Sequence, residues 1–193
     1  MLLLMTCLLA AYQVAVGING LENVPITAYT VAFGVLLVAC LLMIILGLEV
    51  LDSPVVVIIS TIIPLSLSLG LVWQHLQGLR GPYLVFRLAG FLAILVTRTV
   101  RVPGPVATVI LACVHGVAGL TIFLIPSILA ARGLMLPGFS LVGLGGALIG
   151  IGGLLLSCLK AGKPILPRGT IMSILPALLL LMTAAFVAGF ALG

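Results

Sequence analysis

From residue 28 to residue 76 the chain is apolar almost without interruption, and the one break is Gly47-Leu-Glu-Val-Leu-Asp-Ser-Pro54. The flanking runs, 28–46 and 54–76, can each cross a bilayer, because about 20 apolar residues at 1.5 Å each span ~30 Å of hydrocarbon. The break holds two of the three acidic residues in the chain, Glu49 and Asp52. It reads as a tight turn between antiparallel membrane helices, with Ser53 suited to the N-cap and Pro54 to the first helical position.

Composition extends this reading to the whole chain. Of 193 residues, 64% are apolar and 6% charged, whereas a soluble domain carries about 25% charged residues and needs them to coat its surface. The fold class is therefore all-α, a polytopic transmembrane helical bundle forming a single domain over residues 1–193 with no soluble domain. Eight Lys/Arg against three acids give a net charge of +5. Most of these cations fall between apolar runs, where topology and anionic head groups account for them, so nucleic acid is not an expected partner. The four cysteines, Cys7, Cys40, Cys113 and Cys158, lie in four different runs with no CxxC spacing. They read as small buried hydrophobes rather than as a disulfide or zinc framework.

Taken in order, residues 2–18 form a first apolar run that lacks the basic n-region of a secretory signal and is expected to be a retained span. Pro64, Ser66, Ser68 and Gly70 suggest a kinked third span packed closely on protein, ending in the interfacial cluster Trp73-Gln74-His75. Residues 83–97 are apolar apart from Arg87 but number only fifteen, about 22 Å of helix. The breaker Pro103-Gly104-Pro105 precedes a long run, 106–131, which contains His115 and Pro126. A glycine-rich run, 139–159, and a final run, 171–192, follow the turn at 133–138.

Seven spans result if 83–97 crosses, and six if it lies in the interface. With seven, Arg98, Arg101, Lys160, Lys163 and Arg168 share one side, and Arg80 and Arg132 the other. With six, all cations except Arg132 share a side, which the positive-inside rule favours. The unbroken apolar character of 88–96 favours seven, since an interfacial helix needs a polar face; Arg87 can snorkel from near a helix end. Seven is the expectation, with six as the alternative. Both place the loop 160–168 in the cytoplasm and the C-terminus on the opposite side. No internal repeat of three spans is visible.

The strongest pattern is Gly143, Gly146, Gly150, Gly153 and Ser157, five small residues on one helical stripe. Such a stripe lets backbones approach closely, either inside the bundle, or against another subunit, or around a flat cofactor or lipid. Glu49 and Asp52 are candidates for a proton or ion path if they lie in the membrane, but the Ser53-Pro54 break and the lack of a nearby cation point to solvated interfacial acids. His115, followed by Gly116 and Gly119, could ligate a haem or pigment. A bis-histidine site with His75 fails on depth, because His75 ends its span while His115 lies about 15 Å inside its own. Arg87 is either a snorkelling cation or the partner of a buried carboxylate. Thr6, Tyr12, Gln13, Ser60, Thr61, Ser66 and Ser68 supply interhelical hydrogen bonds.

No GxSxG, HExxH or phosphate-binding loop is present, so an enzyme is not expected. Three functional expectations stand. The first is an accessory or structural subunit of a larger membrane complex, respiratory or photosynthetic, packing through the glycine-rich helix, with lipid and other membrane subunits as partners. The second is a small transporter or channel with a path through Glu49, Asp52 and His115. The third is a pigment, haem or quinone binder that uses His115. No particular cofactor is specified.

Overall fold

The computed structural model describes residues 1–193 except Asn19, 101–105, Ala161 and Lys163. Arg101, Lys163 and the Pro103-Gly104-Pro105 breaker therefore lie outside the described residues. Among the described residues there are seven α-helices: α1 (Leu2–Val16), α2 (Asn23–Leu46), α3 (Pro54–His75), α4 (Arg80–Thr99), α5 (Val106–Ala131), α6 (Ser140–Lys160) and α7 (Arg168–Ala191). Short 3-10 turns occupy Leu48–Asp52, Gln77–Leu79 and Pro137–Phe139. The acidic break is the first of these turns, entered through Gly47 at φ 80° and left through Pro54 at the start of α3. Ser53 holds the N-cap position without a side-chain capping bond.

The helices α2 to α7 are long and apolar enough to cross a membrane, as an integral multi-pass protein requires. The short helix is α1, whose 15 residues reach ~22 Å. The fourth run is longer than its apolar core suggested, because Pro82 falls in the first turn of α4, where a missing N–H is no loss. The helix α4 runs along the side of the bundle rather than across its end. Tyr83 Oη donates to Thr121 Oγ1 at 3.4 Å, and a Cβ at Gly90 would lie 3.1 Å from Val114. Moving from 83 to 90 on α4 thus moves from 121 back to 114 on α5, the signature of antiparallel neighbours.

Six helices, α1, α2, α3, α5, α6 and α7, follow one another around a ring, and α7 closes on α1. The helix α4 stands outside the ring against α3 and α5. The third span is the most enclosed: 67% of its central window is buried, against 39% or less for the others. It continues as one helix through Pro64. The predicted interhelical hydrogen bonds are mostly local instead. Thr6, Thr61 and Ser68 donate to the carbonyl four residues back in their own helices, the usual way a hydroxyl is satisfied without a cross-helix partner. Ser66 is the exception, accepting from Arg87 of α4.

The ring is filled unevenly. Toward one end its interior is packed by Tyr29, Phe33, Phe186 and Phe190, with ring centroids 4.7–6.4 Å apart. The end that carries the 48–52 turn is hollow.

Candidate functional site

The hollow is a partly open cavity of about 150 Å³ bordered by α2, α3, α5, α6 and α7 and lined by Leu36, Met43, Ile63, His115, Ser157 and Lys160 among others. A second space of about 390 Å³ is a groove between α5 and α6, walled by Gly116, Gly119, Gly150 and Leu154 and ending at Gly146, where α5 closes on α6. Its rim carries Leu120, Phe123, Ile151 and Leu154, all exposed on the outer face of the bundle. The two spaces share a wall made of Pro64, His115, Ile149, Gly153 and Ser157.

The glycine stripe makes the groove, and only part of it does so. Gly143 and Gly146 are filled by α5: a Cβ at Gly146 would lie 2.7 Å from Ile122 Cγ2 and 2.9 Å from the Phe123 nitrogen, and one at Gly143 would lie 2.9 Å from the Phe123 oxygen. Gly145 and Gly152 do the same for α7, against Phe186 and Leu178. A Cβ at Gly150 would meet nothing within 4 Å, and one at Gly153 would only touch His115 at 3.8 Å. The stripe is thus closed toward the residue-140 end of α6 and open beside His115.

His115 Nδ1 lies 3.1 Å from the Leu111 carbonyl oxygen. That oxygen can only accept, so Nδ1 carries the proton, and Nε2 of the neutral ring offers a lone pair. Neither Nε2 nor the Ser157 hydroxyl has a hydrogen-bond partner among the described residues. His115 and His75 are not brought together. The His75 ring packs on Phe139 near the opposite end, with centroids 5.5 Å apart. Among the described residues no cluster of three His, Cys, Asp or Glu could hold a metal. Cys7 and Cys40 are buried as expected of small hydrophobes, whereas Cys113 is exposed on the outer face.

The acidic turn closes the hollow end. The Lys160 ammonium, part of the cavity lining, donates to the Leu51 carbonyl. Asp52, expected to lack a basic neighbour, is paired with Arg168 at 2.7 Å, 116 residues away in sequence. Glu49 is exposed and takes no part. At the opposite end Glu22 accepts from Trp73 Nε1 at 3.0 Å and from Arg80 at 3.3 Å, and the Arg80 guanidinium sits 5.2 Å from the Trp73 ring centroid. This ion pair was invisible in sequence, although Trp73 had marked the interface.

Arg87 is the cation that belongs to neither end. Its Nη2 donates to Ser66 Oγ at 3.2 Å, and Ser66 is buried midway along α3. Ser66 lies seven residues from Trp73 and twelve from Pro54, about 10 and 18 Å of helix. The guanidinium is held at that depth instead of snorkelling to the interface. A cation there is costly, ~2.5–3.5 kcal/mol by insertion scales.

No family model, no curated protein and no solved structure matches this chain.

Proposed function

We propose that this protein holds a lipid-soluble molecule with a ring-sized head that bears a hydroxyl, admitted from the bilayer through the α5–α6 groove to His115. The observation that carries this reading is the shared wall: His115 and Ser157 border both the cavity at the hollow end and the groove on the outer face. A cavity of about 150 Å³ takes a benzene-sized ring, and the glycine-walled groove suits a flat or extended tail. His115 Nε2 as an acceptor selects a ligand that donates, such as a phenol or quinol, over one that only accepts.

The test is binding of a nitroxide-labelled long-chain phenol and of its methyl ether to the protein in lipid discs. One additional hydrogen bond is worth ~1 kcal/mol, so the phenol should bind about five-fold more tightly, and His115→Phe should erase that preference. Equal binding of phenol and ether, or a preference that survives His115→Phe, would remove the assignment.

A second reading, a subunit of a larger membrane complex, draws on the uncompensated charge of Arg87 rather than on His115. A proton or ion path through Glu49, Asp52 and His115 draws least support, because Glu49 is exposed and Asp52 is already paired. The end that carries the 48–52 turn, where Arg98, Lys160 and Arg168 gather, is assigned to the cytoplasm by the positive-inside rule. An impermeant maleimide should then reach Pro164→Cys only after the membrane is opened, whereas labelling of intact cells would reverse the orientation.

A further inference from the structure

We infer that Arg98 and Lys160 bind a phosphate group, supplied by an anionic lipid of the adjoining leaflet, at the hollow end of the bundle. The site goes beyond the phenol reading and does not depend on His115. Gly153 neighbours His115, and Lys160 lies seven residues further along α6, ~10 Å of helix. Both cations stand at the end that carries the 48–52 turn, Arg98 in the last turn of α4 and Lys160 as the last residue of α6. Arg98 turns inward. It follows Ile94 by four residues, hence on the same helix face, and Ile94 belongs to one buried cluster with Val57 and Leu111. Val57 and Leu111 also line the cavity, which Lys160 borders from the α6 side.

Neither cation has an acid of its own. Asp52 and Arg98 are the charges that act on the Lys160 ammonium, but Asp52 is held by Arg168 at 2.7 Å. Glu22 pairs with Arg80 at the opposite end, and Glu49 is exposed on the turn. Among the described residues no carboxylate forms an ion pair with Arg98 or Lys160. The Lys160 ammonium uses one of its three donors on the Leu51 carbonyl. Arg98 Nε is sealed from the surface, yet it has no hydrogen-bond partner among the described residues. A sealed guanidinium nitrogen without an acceptor is costly, and topology alone would be served as well by an arginine left in water. Two neighbouring cations with donors to spare suit an anion with several acceptor oxygens, and a phosphate is one. Depth points to lipid as its source. Pro54 begins α3 and Lys160 ends α6 at this level, where the hydrocarbon gives way to head groups. Basic pockets between membrane helices on the cytoplasmic side recognise anionic head groups in this way.

The experiment is native mass spectrometry of the full chain in a neutral detergent, titrated with dimyristoyl phosphatidylglycerol and, separately, with dimyristoyl phosphatidylcholine. The acyl chains are identical, so a difference reports the head group. The wild-type chain should retain the glycerol lipid about ten-fold more tightly, and Arg98→Gln or Lys160→Gln should each cut that preference about five-fold. Lys160→Arg should keep most of it. Arg132→Gln removes an exposed cation at the opposite end and should change nothing, which separates a built site from general charge attraction. Thermal melts in the same detergent control for folding. Arg98→Gln should leave the phenol preference at His115 intact, so the two assignments fail separately. Equal retention of the two lipids, a preference that survives Arg98→Gln and Lys160→Gln together, or an equal loss in Arg132→Gln would overturn the inference. So would displacement of the glycerol lipid by an equal concentration of inorganic phosphate, which would assign the site to a soluble anion.

Discussion

The two halves of the α6 glycine stripe have the same spacing and nearly the same composition, yet they do opposite things. Around Gly143 and Gly146 the missing side chains let α5 approach until backbone atoms of Phe123 fill the space. Around Gly150 and Gly153 the same absence leaves room that α5 does not take, and the groove and cavity meet there at His115. A small residue in a membrane helix permits close approach without enforcing it. What α5 presents decides the outcome: Ile122, Phe123 and Ser127 face the closed half, whereas Gly116, Gly119 and His115 face the open one.

The sharpest way to break this comparison is to add the same side chain to both halves. Gly146→Leu drives carbon into Ile122 and the Phe123 backbone, and should destabilise the fold by at least ~3 kcal/mol, since overpacking against backbone has no easy relaxation. A thermal melt followed by circular dichroism checks it. Gly150→Leu should leave the same melt within ~0.5 kcal/mol, because its Cβ meets open space, while abolishing phenol binding by filling the groove. His115→Phe comes next in size: the groove persists, and the loss is confined to the about five-fold phenol preference. The smallest effect belongs to the far side of the cavity. Asp52→Asn breaks an ion pair whose side chains are about half exposed, so no more than ~1 kcal/mol is expected, shrinking further in high salt.

These contrasts also mark where sequence reasoning stops. Apolar runs and their breaks announce the helices, because a membrane demands length and continuous apolarity within each segment. The extent of α4 was harder to read, since Arg80, Gly81 and Pro82 look like loop residues until the first turn is seen to accept a proline. The Gly143–Ser157 periodicity was legible as a stripe, but which half is filled depends on residues of another helix, α5. Asp52 and Arg168 are separated by 116 residues, and nothing local to either one announces the other. Arg87 looked like a cation near a helix end. Its depth became clear only through Ser66, on a neighbouring helix.

The most direct test of the central claim, that the open half of the stripe receives a molecule from the bilayer, is native mass spectrometry of the protein released from its own membranes. The wild-type chain should retain a lipid-soluble adduct with a hydroxylated ring, and Gly150→Leu, equally folded, should be released without it. A bare wild-type chain, or the same adduct at the same occupancy on Gly150→Leu, would contradict the account.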